Sequence, residues 1–235
     1  MNAEIDRVRD QLIVALDYPN IELAETVTSN CGDAVSFYKI GLQLLPVSGM
    51  TLSGALRQQG RKVFLDFKLH DIPATVEKAT RSIVSQGGDM LTVHAEPPVM
   101  KAAVAGRGDD PDLKLLGVTV LTSYDDEMLA EMGYAYGARD LVLRRVDQAL
   151  ECGMDGIVAS ALEAREIRER FGQGFLIVTP GIRPAGSDAG DQKRVATPAD
   201  ALRDGATHLV VGRPVNAAED PEKAAVAILE EMASA

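Results

Sequence analysis

Short apolar runs recur along the chain, each followed by a segment with helical spacing, and this alternation limits the fold more than any other feature. The runs cover residues 11–17, 35–41, 62–69, 90–95, 114–121, 156–160, 176–180 and 208–212. They are brief and rich in β-branched side chains, as parallel strands covered on both faces must be. Amphipathic helical patterns fit 75–86, 139–151, 161–170 and 198–204. Residues 221–232 read as a closing helix, with Asp220 before it and Pro221 in its first turn. Gly60, Gly87, Gly153 and Gly205 fall where helices should stop. Eight strand–helix units with no break in composition predict an α/β fold, a (β/α)₈ TIM barrel spanning residues 1–235 as a single domain. A doubly wound open sheet is the alternative. It would more often carry a glycine fingerprint after its first strand, whereas here that strand runs into Leu16-Asp17-Tyr18-Pro19. The long irregular stretch 181–197 has the length of a lid.

Composition narrows the partners. The net charge of −11 argues against nucleic acid and against an anionic membrane surface, and an aromatic content of 4% leaves little for stacking on bases. It leaves room for an anionic substrate, because a local site can be positive on an acidic protein. Cys31 and Cys152 lack metal-like or redox-like spacing and read as free thiols in a reducing cytosol. The first residues have no apolar signal core, and no apolar run approaches the ~20 residues that span a bilayer. The expectation is a cytoplasmic protein.

In a barrel, chemistry gathers at the C-terminal ends of the strands. Asp17 closes the first run, Lys39 lies near the end of the second, and Asp66 and Lys68 end the third, with Asp71 just beyond. A strand's period of two points Asp66 and Lys68 to one face. His94 is near the end of the fourth run, with no obvious histidine partner. Thr122 and Ser123 follow the fifth, Pro180, Gly181 and Arg183 the seventh, and Gly212 and Arg213 the eighth. His208 opens a strand at the opposite rim and reads as structural. Structural ion pairs would have no reason to favour one rim. The loops after strands seven and eight commonly bind phosphate in such barrels. Gly181 and Gly212 allow close backbone approach to an anion, and Arg183 and Arg213 can supply guanidinium forks. No nucleophile elbow, converging histidines or Ser-His-Asp set stands out.

A lysine flanked by aspartates is kept protonated, so its ammonium can stabilise a nearby carbanion and then protonate it. An aspartate set against a bound anion favours a reaction that expels that anion, such as loss of CO₂. Alternatively, Asp66 and Asp71 could hold Mg²⁺ against an enediolate. A Schiff-base lysine is a third use, which two neighbouring acids would oppose.

The segment Asp66-Phe67-Lys68-Leu69-His70-Asp71-Ile72-Pro73 with Thr75 resembles the signature of the orotidine 5′-phosphate decarboxylase family. Leu16-Asp17, Phe37 to Gly41, Val120 to Ser123, Thr179 to Pro184, Gly190-Asp191-Gln192 and Val211 to Pro214 resemble further family motifs in the same order. The resemblance implies a (β/α)₈ homodimer that converts orotidine 5′-monophosphate to UMP and CO₂ without cofactor or metal. By position, it makes Lys68 the proton donor within a charge array of Lys39, Asp66, Lys68 and Asp71, with Asp71 reaching across the dimer interface. Asp17 and Lys39 would hold the ribose, joined by Thr75 from the second subunit. Thr122 and Ser123 would lie by the pyrimidine. Arg183, Gln192, Gly212 and Arg213 would gather the phosphate, and Ile72 and Pro180 complete the substrate-binding positions. Two alternatives remain open: a Mg²⁺-dependent sugar-phosphate enzyme of related sequence, or a phosphate-binding barrel without catalysis.

Overall fold

The computed structural model describes residues 3–184 and 195–235. Eight strands form a closed barrel in chain order: β1 Leu12–Leu16, β2 Phe37–Gly41, β3 Lys62–Leu69, β4 Met90–His94, β5 Lys114–Val118, β6 Gly156–Val158, β7 Leu176–Thr179 and β8 His208–Val211. Every neighbouring pair is parallel, and β8 closes on β1 with Leu12 opposite Leu209. The expected α/β barrel is therefore the fold.

The strands are apolar on both faces because each face packs on something. Alternate residues turn inward, and Ile13, Ala15, Phe37, Phe64, Met90, Leu116, Val178 and Val210 fill the barrel interior. Their neighbours, among them Val14, Leu16, Tyr38, Ile40, Leu65, Leu91, Ile157 and Leu209, face the surrounding helices in a second, larger core. Following the inward column up each strand leads from this apolar plug to polar groups: Phe37 to Lys39, Phe64 to Asp66 and Lys68, Met90 to Thr92 and His94. The plug thus forms the floor of whatever lies at the C-terminal rim. At the opposite rim His208 meets Phe37 edge-on, ring centroids 6.1 Å apart, and burial pushes its pKa down to about 4. A neutral histidine packed under the floor fits the structural role expected of it.

The helices match the sequence pattern, with shifts at their ends. The helix expected over 75–86 starts at Pro73, which supplies a preset φ in the first turn. Gly87 ends it at φ 86°, and Gly153 follows the helix Ala138–Glu151 at φ 78°. Ser160 and Glu163 form a capping box on the helix Ala161–Phe171. Most strands are shorter than their apolar runs. The run over 114–121 ends as a strand at Val118, although Val120 is still buried, because the chain leaves the hydrogen-bonded ladder before it leaves the core.

The helices Pro73–Gln86 and Pro97–Arg107 pack closely through Gly106, where a Cβ would run into the Glu77 carbonyl and Thr80. Gly106→Ala should therefore destabilise the fold by about 1–3 kcal/mol despite alanine's better helix propensity. Thermal melting checks this, and an unchanged or raised midpoint would contradict the close crossing.

Candidate active site

Four charged side chains alternate in sign across the barrel mouth. Lys39 Nζ donates to Asp17 Oδ1 at 3.0 Å and lies 3.4 Å from Asp66 Oδ2. Lys68 Nζ donates to Asp66 Oδ1 at 2.8 Å. Asp17, Lys39, Asp66 and Lys68 thus form a chain from β1 through β2 to β3. Lys39 is 7% exposed and the Asp66 side chain 13%, so each charge depends on its neighbours rather than on water. Burial would raise the pKa of Asp66. The charges of Lys39 and Lys68, with hydrogen bonds from Lys68 and Thr92, outweigh that effect and hold it below 3.8.

Local backbone geometry aims these groups. Lys68 lies at φ 50°, in the left-handed region. Opposite it, pairing with β4 shifts, Leu65 facing Leu91 and Leu69 facing Val93. The extra β3 residues bring Asp66 and Lys68 into the same cleft, as the two-residue period predicted. Gly41 makes room for the array, because a Cβ there would stand 2.9 Å from both Asp17 Oδ1 and Lys39 Nζ.

The array separates two adjoining compartments. The larger, about 670 Å³, is lined by Asp17, Lys39, Asp66 and Lys68 on one side and by Pro180, Gly181, Arg183, Gly212 and Arg213 on the other. Gly181 takes φ 79°, and the backbone N–H of Arg183 donates to the Ala196 carbonyl, tying the two stems of the β7 loop. The smaller compartment, about 320 Å³, shares Lys39, Asp66, Lys68 and Pro180 with the first. Its far wall holds Thr122 and Ser123, with Phe64, Val118, Val158 and Val210 as apolar lining. One end is cationic and glycine-lined, the other smaller and largely apolar, and the charge array lies where they meet.

Three expected residues stay out of this chain's own cleft. Asp71 is exposed and its Oδ1 accepts from the Ile72 N–H at 2.6 Å. Ile72 is 66% exposed, and Thr75 is exposed in the first turn of its helix. Gln192 lies outside the described residues. His94 differs from expectation, since the His70 ring lies 5.0 Å away and His70 Nε2 is 3.0 Å from Glu96 Oε2. Burial, then the His70 charge, lowers the His94 pKa. Thr92, Tyr18 and Asn216 escaped sequence reasoning, and Gly41 was read only as part of a family motif, without its role in making room for the array. Tyr18 and Asn216 line the larger compartment, and Asn216 Nδ2 donates to the Ala15 carbonyl at 2.6 Å. Reading residues 90–94 with period two would have placed Thr92 inward beside Asp66.

Among the described residues, no three His, Cys, Asp or Glu side chains group as a metal site. Both oxygens of Asp66 face cationic groups, which makes that carboxylate a poor metal ligand in this arrangement. Cys31 is a buried free thiol whose burial pushes its pKa up to about 11, and Cys152 is half-buried. No described helix is long and apolar enough to cross a membrane.

A family described as orotidine 5′-phosphate decarboxylase / HUMPS matches residues 10–228. The chain belongs to this family. It is 60% identical over 227 residues to the orotidine 5′-phosphate decarboxylase of Caulobacter vibrioides (strain NA1000 / CB15N), covering 95% of this chain and 97% of that protein. It is 56% identical over 227 residues to the orotidine 5′-phosphate decarboxylase of Methylorubrum extorquens (strain PA1), with 97% of each covered. Among solved structures, the orotidine 5′-phosphate decarboxylase of Lactobacillus acidophilus superposes with a TM-score of 0.84 at 38% identity, covering 95% of this chain and 99% of that one. A decarboxylase-family barrel accounts for both the fold and the rim.

The lowered pKa of Asp66 has a measurable consequence for stability. Its stabilising effect is fully present above the unfolded value of 3.8 and is lost as pH falls through the lower folded value. Asp66→Asn should cost roughly 3 kcal/mol at pH 7, because it leaves Lys39 and Lys68 partly buried without their shared partner. The gap to the unmutated protein should narrow as pH drops below 3.8. Urea unfolding across pH tests this, and a gap independent of pH would contradict it.

Proposed function

We infer that this chain removes CO₂ from orotidine 5′-monophosphate to give UMP, the last step of de novo pyrimidine synthesis. Family membership carries the reaction, and the Asp17–Lys39–Asp66–Lys68 array between a cationic and an apolar compartment supports the assignment of roles. The phosphate lies against Gly181, Arg183, Gly212 and Arg213, with Pro180 at the junction; Gln192, which the family resemblance also assigns to the phosphate, lies outside the described residues. Asp17 and Lys39 take the ribose hydroxyls. The pyrimidine enters the smaller compartment beside Thr122 and Ser123, which directs C6 and its carboxylate at Asp66 and Lys68.

In this pose the substrate carboxylate is pressed toward the Asp66 carboxylate. The C6–carboxylate bond breaks, CO₂ departs, and the bonding electron pair stays on C6. The Lys68 ammonium lies beside the developing carbanion, stabilises it and transfers a proton from Nζ to C6. Solvent then returns a proton to Lys68. The fixed charges of Lys39, Asp66 and Lys68 do this work with no cofactor or metal. Phosphate contacts far from C6 add binding energy that can be spent on the transition state.

A homodimer completes the site in this reading. Asp71, Ile72 and Thr75 are exposed on the rim that carries the cleft, and a second copy can present its Asp71 and Thr75 to the array and the ribose. The enzyme works in the cytoplasm, with no nucleic-acid or membrane partner.

The purified protein should convert orotidine 5′-monophosphate to UMP, followed by ultraviolet absorbance, with full activity in EDTA. Lys68→Ala should lose at least about 10²- to 10⁴-fold in turnover, the usual share of a positioned proton donor, while still binding substrate. Activity abolished by EDTA would favour a metal-dependent sugar-phosphate chemistry. Near-normal turnover by Lys68→Ala would remove Lys68 as the donor.

A further inference from the structure

We propose that Thr92 is a positioning residue for Lys68, its single hydroxyl holding both ends of the Asp66–Lys68 pair. The proposal rests on the decarboxylase reading above and deepens it. Thr92 sits on the inward column of β4 between Met90 and His94 and is fully buried. A threonine in a strand is commonly just a good β former. This one has a more specific environment.

The pairing of β3 with β4 places three β3 residues, Asp66, Phe67 and Lys68, opposite Thr92 alone. Within this irregularity the Lys68 backbone is left-handed at φ 50°, a conformation that is costly for a non-glycine residue. Its N–H donates to Thr92 Oγ1 at 3.0 Å. The same Oγ1 donates to Asp66 Oδ1 at 2.9 Å, and that oxygen also accepts from Lys68 Nζ at 2.8 Å. The hydroxyl has one proton, and an ionised carboxylate can only accept. The proton must therefore point at Asp66, which leaves an oxygen lone pair for the Lys68 N–H.

A closed ring of hydrogen bonds results. It runs from the Lys68 backbone to Thr92, from Thr92 to Asp66, and from Asp66 back to the Lys68 ammonium. Both the root and the tip of the Lys68 side chain are thereby referred to one buried atom on a neighbouring strand. Valine would fill the same space but would leave the Lys68 N–H without this acceptor and Asp66 one donor short. The left-handed residue could then relax, and the ammonium would move relative to C6. Displacement of a reacting group by about 1 Å can cost on the order of 10²-fold in rate.

The test compares Thr92→Val, Thr92→Ser and Thr92→Ala with the unmutated protein in steady-state turnover of orotidine 5′-monophosphate, kcat and KM taken separately. Thr92→Val should lose about 10²-fold in kcat with KM little changed, since the phosphate loops are untouched. Thr92→Ser, which keeps the hydroxyl, should recover most of kcat. Unchanged kcat in Thr92→Val, or a loss in Thr92→Ser as large as in Thr92→Val, would overturn the proposal. If Thr92→Val does not fold, the Ser and Ala variants differ in the hydroxyl alone. Serine active and alanine impaired supports the proposal, and equal activities overturn it. The Lys68 side-chain signal in ¹⁵N-lysine-labelled protein, assigned by its loss in Lys68→Ala, is read in parallel. It should shift in Thr92→Val and return in Thr92→Ser, and a signal unmoved in both overturns the proposal. Because that readout needs no turnover, an unmutated protein inert toward the nucleotide would sink the functional reading and still leave the role of Thr92 decided.

Discussion

A carboxylate buried between two ammonium groups is the interaction around which the rest of this site is arranged. Asp66, lowered in pKa despite its burial, requires Lys39 and Lys68 to stay charged beside it. Neither lysine could be placed there singly without a large desolvation penalty. The barrel supplies the geometry by bringing β2 and β3 side by side, with Gly41 opposite Asp66 in the ladder. It also supplies the dryness, because Phe37 and Phe64 close the barrel below. The ion pairs add little to stability compared with an apolar core of equal volume. Their persistence at the rim makes sense as preorganisation, charges fixed before substrate arrives and unable to reorient while it reacts.

Division of the cleft follows from the same barrel. Strands β7 and β8 end in Gly181 and Gly212 with their arginines, while β5 ends in an apolar wall leading to Thr122 and Ser123. A nucleotide has a matching asymmetry, anionic at the phosphate and flat at the base. In the proposed pose, with the phosphate anchored at one end and the base at the other, the bond to be broken would lie above the array. This separation lets binding at a remote group influence chemistry without touching it.

The sequence was most legible where local patterning decides the outcome. The strand expected over 62–69 is β3 to the residue, since its apolar run is bracketed by Arg61 and Lys62 before it and by His70 and Asp71 after it. Strand ends elsewhere were overestimated, as at Val120, because hydrophobicity reports burial and not ladder hydrogen bonds. The shared direction of Asp66 and Lys68 was readable from the strand period. The left-handed Lys68 was not, because lysine carries no signal for positive φ and the irregularity arises from pairing with β4. Thr92 went unseen for a related reason, its role depending on a strand 24 residues away from Lys68. Asp71, Ile72 and Thr75 teach the converse: they are neighbours of Lys68 in sequence but turn outward from its cleft. His70, just past the end of β3, meets His94 at the end of β4, a contact that spacing alone did not reveal.

The most direct test is a crystal structure of the protein with UMP bound. It should show the phosphate between the Gly181–Arg183 and Gly212–Arg213 segments, the ribose at Asp17 and Lys39, and uracil C6 facing Lys68 Nζ. Asp71 and Thr75 of a second copy should reach the same site. A nucleotide bound with its base away from Lys68, or a complete site formed within one chain while Asp71 stays in solvent, would contradict the account.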